Sequence, residues 1–214
     1  RTDINDTRQD ISNEDLIPEE TRVLTISRTG YAKTQPLEEY REQRRGGQGK
    51  AAASVKEEDV IQNLYVLSSH SQMLCFTTKG KVYWLKVYEV PIASRTSKGR
   101  PLVNMLNLDD DEKVSDILPV SEFSEDRYVF MATKKGITKK TNLSLFARKW
   151  KSGIKAIKLD NDDELIGSAI TNGNDEILLA SSAGKLIRFS EKKVRSLGRN
   201  TSCLLYTSPS PRDH

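Results

Sequence analysis

Short apolar runs along this chain end in a hydroxyl residue, two further residues and a glycine, and then a second strand-like run begins. Val23-Leu24-Thr25-Ile26-Ser27 passes through Arg28-Thr29-Gly30 into Tyr31-Ala32-Lys33-Thr34. Met73-Leu74-Cys75-Phe76-Thr77 passes through Thr78-Lys79-Gly80 into Lys81-Val82-Tyr83-Trp84-Leu85. Tyr128-Val129-Phe130-Met131-Ala132-Thr133 passes through Lys134-Lys135-Gly136 into Ile137-Thr138-Lys139-Lys140. Ile177-Leu178-Leu179-Ala180-Ser181 passes through Ser182-Ala183-Gly184 into Lys185-Leu186-Ile187-Arg188-Phe189. Runs of this length around a glycine turn predict β-hairpins. A type I turn closed by a left-handed glycine needs that spacing. The hydroxyls of Ser27, Thr77, Thr133 and Ser181 are placed to hold the turns.

The rest of the unit recurs as well. Basic loops containing glycine follow each hairpin, at 44–49, 95–99, 148–153 and 195–198. Glu58-Asp59, Asp111-Glu112 and Asp163-Glu164 each precede an apolar pair and read as turn formers. The period is roughly fifty residues, the range of propeller blades. A four-stranded blade cannot bury both faces alone, so neighbours must stack around an axis. The predicted fold class is all-β, a propeller-like repeat with four units visible. Residues 1–20 read as an acidic lead-in, 21–201 as the repeat domain, and 202–214 as a non-native or disordered tail.

The 214 residues are 36% hydrophobic and 30% charged, with a formal net charge of +4. The lead-in is acidic, so the remainder is more basic than the total, which points to a polyanionic partner. Two cysteines, Cys75 and Cys203, give neither a disulfide framework nor metal spacing. No run reaches membrane-spanning length. A reducing, cytoplasmic setting is the default.

No nucleophile–base set is visible. His70 lies in a polar, turn-like run, and the acidic clusters do not match an EF-hand loop. Trp84 alternates within an apolar strand and is assigned to the core; Trp150, between Lys149 and Lys151, is the better surface candidate. The cations form two sets in each unit. Arg28, Lys33, Lys79, Lys81, Lys134, Lys135, Lys139, Lys140, Lys185 and Arg188 flank the hairpins. Arg95, Lys98, Arg100, Arg148, Lys149, Lys151 and Arg195 lie on the basic loops, as do Arg44, Arg45 and Lys50. Blades set around an axis would turn these into a positive band suited to a bent duplex. Bending 20–30 base pairs sharply costs on the order of 1–6 kcal/mol, offset by phosphate contacts along the arc. Such binding is salt-dependent and weakly sequence-specific.

Gln43-Arg44-Arg45-Gly46-Gly47-Gln48-Gly49 resembles the GyrA-box, Q-R-R-G-G-K-G, of the bacterial DNA gyrase A C-terminal domain family. Gln48 stands where that family usually has lysine. The resemblance continues through Pro36-Leu37-Glu38-Glu39-Tyr40, Lys56-Glu57-Glu58-Asp59, Gly99-Arg100-Pro101 and Asp163-Glu164-Leu165-Ile166-Gly167. It implies a six-bladed β-pinwheel with strand exchange between blades, wrapping double-stranded DNA around its rim. It also implies a parent type IIA topoisomerase that introduces negative supercoils. In that parent, gyrase B chains and a second gyrase A chain complete an A2B2 assembly, and ATP and Mg act on other parts. The family's catalytic tyrosine would lie before Arg1, and two further blades after Thr201. The fragment itself is therefore expected to be non-catalytic, without cofactor or metal, bacterial, cytoplasmic and nucleoid-associated, with no membrane contact. The alternatives are the corresponding C-terminal domain of topoisomerase IV, which generally lacks an intact box, and a protein-binding propeller module.

Overall fold

The computed structural model describes residues 14, 16–40, 60–94, 96–109, 111–201 and 204–205. Their regular structure is β-strand and short 3-10 turn, with no α-helix among the described residues. All four predicted hairpins are present: β1 (Thr21–Ser27) with β2 (Tyr31–Pro36), then, after β3 (Ile61–Ser68), β4 (Gln72–Thr77) with β5 (Lys81–Lys86). Next come β6 (Arg100–Pro101), β7 (Val114–Val120), and the hairpin of β8 (Tyr128–Thr133) and β9 (Ile137–Asn142). β10 (Ile154–Lys155) and β11 (Leu165–Thr171) precede the hairpin of β12 (Glu176–Ala180) and β13 (Leu186–Ser190); β14 (Leu204–Leu205) ends the series.

The turns have the anticipated chemistry. Ser27, Thr77, Thr133 and Ser181 hydroxyls accept from the backbone N–H of Tyr31, Lys81, Ile137 and Lys185 at 3.1–3.2 Å. Each turn glycine donates its N–H back to the hydroxyl residue's carbonyl. Gly30, Gly80, Gly136 and Gly184 all have positive φ, between 73° and 84°.

The chain forms two compact units, one of residues 1–71 and 86–99, the other of residues 72–85 and 100–214. In the first unit β1 lies between β2 and β3, antiparallel to both. Its Val23, Leu24, Thr25 and Ile26 are all buried, as a strand covered on both faces requires. The residues just before β1 are tied to the turn after β3. Ser69 Oγ donates to the Pro18 carbonyl at 2.9 Å, its N–H donates to the Glu20 carbonyl at 2.8 Å, and Lys86 pairs with Glu14 at 2.7 Å.

The second unit holds two four-stranded sheets, β10-β5-β4-β7 and β11-β8-β9-β14, and the pair β12-β13. In each four-stranded sheet one edge strand arrives from the following repeat: β10 pairs with β5, and β14 with β9. This is strand exchange. β4 is buried along its whole length, and Leu74, Phe76, Val82, Val129, Met131, Phe146, Ile157 and Leu165 form one core. Phe76 and Phe146 meet edge-on at 6.1 Å within it. Trp84 packs against this core and Cys75 is fully buried. The fourth repeat differs from the expected four-stranded blade. Among the described residues β12 and β13 pair only with each other, leaving Leu178 and Leu186 exposed.

The turn glycines allow a controlled test. A Cβ on Gly136 would meet nothing within 4 Å, whereas one on Gly80 would lie 2.7 Å from Ile157 Cγ2 and 2.9 Å from its carbonyl. Gly136→Ala should therefore cost only the left-handed backbone term, about 1–2 kcal/mol. Gly80→Ala should cost at least about 1 kcal/mol more, read by urea denaturation. Equal losses would show that the turns, not the packing behind Gly80, set the penalty.

Candidate nucleic-acid interface

The third and fourth residues after each turn glycine lie within the second hairpin strand, and the structure turns several of them inward. Thr34 Oγ1 donates to the Val90 carbonyl at 3.1 Å, Trp84 Nε1 to that of Phe146 at 2.8 Å, and Lys140 Nζ to that of Glu191 at 3.0 Å. Each acceptor is in or beside the 3-10 turn of the next repeat. One position before, Lys33 Nζ donates to the carbonyls of Ser94 and Ser97 at 3.1 and 3.0 Å. Lys139 Nζ donates to the carbonyls of Ala156 at 2.9 Å, Thr201 at 3.3 Å and Arg199. Burial pushes the Lys33 ammonium below the ordinary lysine value. Lys140 also packs 4.9 Å over the Tyr128 ring and 3.8 Å from the Glu191 carboxylate. That fully buried carboxylate accepts further bonds from Thr171 Oγ1 and the Asp175 N–H, both at 2.8 Å. Lys33, Lys139 and Lys140, expected to face a phosphate backbone, are thus removed from the candidate surface: their ammonium groups are spent on backbone carbonyls inside the fold.

The hairpin tips carry their own counter-charges. Lys79 pairs with Asp111; Lys81 lies 2.8 Å from Asp109 and 3.7 Å from buried Glu112. Lys134 faces Glu164 at 3.8 Å, and Lys135 faces Asp162 at 4.0 Å. The hydrogen bonds to Asp111 and Asp109 raise the Lys79 and Lys81 values, and the same bonds hold the two carboxyls below theirs. Glu112 anchors this acidic turn by accepting from Thr77 Oγ1 at 2.5 Å and Tyr83 Oη at 3.1 Å. The recurring Asp-Glu pairs are therefore more than turn formers. Arg188 likewise meets Glu176 at 3.2 Å.

The basic loops differ. No acidic residue occurs between Asp126 and Asp160, a stretch that includes Arg148, Lys149 and Lys151. All three are exposed, as are Lys98, Arg100, Lys185 and Arg195. Loop 147–153 is held from beneath: Ala147 N–H donates to Ser144, Gly153 N–H to Trp150, and Asn107 Nδ2 to the Lys151 carbonyl. Arg28 is exposed on the first hairpin, and Lys98 sits 5.8 Å from the Tyr31 ring centroid. Residues 43–49, Lys50 and Arg95 lie outside the described residues. Among the described residues no cluster of three or more His, Cys, Asp or Glu side chains could hold a metal ion.

Hairpin-led repeats that trade edge strands, with exposed cations on the connecting loops, define a propeller-type domain of the strand-exchanged kind. The model for "DNA gyrase C-terminal domain, beta-propeller" matches residues 21–68, 71–121, 127–172 and 175–202, and the chain belongs to that family. The gyrase A protein of Escherichia coli is 52% identical over 202 residues, 94% of this chain and 23% of that protein. The chain thus spans about a quarter of the length of the curated relatives it matches. Among solved structures, a C-terminal domain of DNA topoisomerase IV superposes with TM-score 0.75 at 25% identity, covering 88% of this chain and 57% of that one. A DNA gyrase A C-terminal domain gives 0.64 at 23% identity, covering 87% and 60%. No helix of the described residues is long and apolar enough to cross a membrane.

Replacing the inward ammonium should affect folding and not binding. Lys139→Met leaves three carbonyls, that of Ala156 buried, short of a donor and should cost about 1–3 kcal/mol by chemical denaturation. The salt dependence of DNA affinity should be unchanged. A shallower salt slope with unaltered stability would place Lys139 back on the surface.

Proposed function

We propose that this chain binds double-stranded DNA through its basic loops and, as part of a gyrase A protein, bends the duplex across successive repeats. The observation that carries this reading is the exposure of Arg148 and Lys151 in a stretch that holds no acidic residue, whereas Lys79 and Lys81 on a hairpin are paired with carboxylates. Phosphates exchange readily with the counter-ions of exposed cations, and far less readily with a carboxylate held in place by the fold. Arg100, Lys185 and Arg195 are further exposed cations of the second unit assigned to DNA, as Lys98 is in the first; Arg28, Lys50, Arg95 and residues 43–49 are assigned to DNA from the sequence. Lys79, Lys81, Lys134, Lys135 and Arg188 contribute less, because each has a carboxylate within reach. In this reading cleavage, ATP and Mg are assigned to other parts of an A2B2 enzyme. The setting is the bacterial cytoplasm. A topoisomerase IV origin draws support from fold likeness alone, whereas the 52% identity to a gyrase A protein favours gyrase.

Ligation of nicked circular DNA with rising amounts of the chain should shift the linking-number distribution toward positive superhelicity. Duplex affinity should fall on the order of 10³-fold between about 50 and 200 mM salt if six phosphates are engaged. Failure to bind duplex at low salt would sink the reading; binding without a linking shift would leave contact but no wrapping. Separately, Asp109→Asn with Asp111→Asn should release Lys79 and remove the nearer partner of Lys81, with Glu112 still 3.7 Å away, strengthen duplex binding and steepen the salt slope by about one. The same release occurs as pH falls through the depressed carboxyl values, below the ordinary 3.8. Unchanged binding in the double variant would show that the hairpin tips do not face DNA.

A further inference from the structure

Trp150 is 41% exposed in a fold that otherwise uses its tryptophan as core: Trp84 packs against the main apolar cluster and spends its N–H on the Phe146 carbonyl. An exposed indole in a charged loop gains nothing from water. Its surroundings are cationic, with Lys149 and Lys151 on either side and the Arg148 guanidinium stacked 4.5 Å from the ring centroid. The equivalent stretches, Ser94 to Gly99 and Arg195 to Gly198, carry no aromatic residue.

The loop is also tied to the fold at several points. Phe146, fully buried, pins its start. The Trp150 carbonyl accepts from Gly153 at 3.1 Å, and the Lys151 carbonyl accepts from Asn107 at 3.4 Å. Gly153 sits so close to the Tyr83 ring that a Cβ there would come within 2.7 Å. An aromatic anchor on such a platform loses little freedom when it binds.

We propose that Arg148 and Trp150 act together as a groove contact for duplex DNA, an inference that rests on the chain being a duplex binder. The indole lies against the deoxyribose wall of the minor groove, an apolar strip between two rows of phosphates. Arg148, aligned by its stack on the ring, and Lys151 hold the flanking phosphates. Sugar walls are alike in every sequence, so the contact fixes the position of the duplex without reading bases. It makes this repeat an anchor, where the equivalent loops offer charge alone.

Tryptophan emission tests this in the full chain, with Trp84 as the internal reference. Adding a short linear duplex should quench and blue-shift the wild-type emission, and the change should disappear in Trp150→Phe although that variant still binds. Trp150→Ala should weaken duplex affinity about tenfold with its salt slope unaltered, because no charge is lost. Arg148→Ala should lower the slope by about one. Wild-type binding without an emission change, together with wild-type affinity in Trp150→Ala, overturns the groove contact but leaves DNA binding standing. A wild-type chain that binds no duplex overturns both. Tighter binding and stronger quenching with single-stranded than with duplex DNA overturns the groove assignment in favour of base stacking. Circular dichroism of each variant separates lost contact from lost fold.

Discussion

Consecutive repeats are coupled by one kind of hydrogen bond: a side chain on the second hairpin strand donates to a backbone carbonyl at the next repeat's 3-10 turn. Thr34, Trp84 and Lys140 make this bond from the same position with three different chemistries. The requirement is for a donor of suitable reach, not for a particular residue. The Val90 and Phe146 carbonyls stand at the end of their 3-10 turns, where a buried carbonyl left unpaired is costly, whereas the Glu191 carbonyl opens its turn and also accepts from the Val194 N–H. The bond therefore fixes where the following chain segment runs. In the second unit that segment becomes the basic loop and then the exchanged edge strand, so the loop's position follows from the bond beneath it.

This arrangement divides the cations by task. Lys33, Lys139 and Lys140 are structural donors, the hairpin-tip lysines neutralise acidic turns of their own repeat, and Arg148 and Lys151 on the loop are exposed. Charge alone would treat all of them alike. The Glu191 carboxylate illustrates the first group: it stands where the preceding repeats have Val87 and Leu143 at the start of the 3-10 turn. Its burial is tolerated because Thr171, the Asp175 N–H and Lys140 surround it.

Much of the fold is legible in the residues because hairpin chemistry is local. A hydroxyl, two residues and a glycine specify the turn, and uninterrupted apolar runs such as Met73 to Phe76 signal strands covered on both faces. The two-residue strands β10 and β14 are too short for any periodicity, so strand exchange is visible in the sequence only through resemblance. The inward lysines read as surface groups because lysine is rarely buried without a partner, and their partners are carbonyls up to about sixty residues away. The acidic pairs recur at the repeat period, which is a usable signal, but matching Asp111 to Lys79 requires the β4–β7 register. The GyrA-box segment, the most specific part of the sequence, lies outside the described residues.

The bare flank of the β12–β13 pair bears on how the chain loses structure. Where stability is shared between adjacent modules, each module is held by as many interfaces as it has neighbours. Among the described residues this pair is joined to the rest through Phe130 and, at Glu191, through Thr171 and Lys140, whereas the central sheets are gripped by strands of their own and of the next repeat. Its amides are then the ones to open in small, local fluctuations, with the β4–β5 and β8–β9 sheets closed until the whole unit gives way. Among the described residues, cooperativity then falls off toward the β12–β13 hairpin.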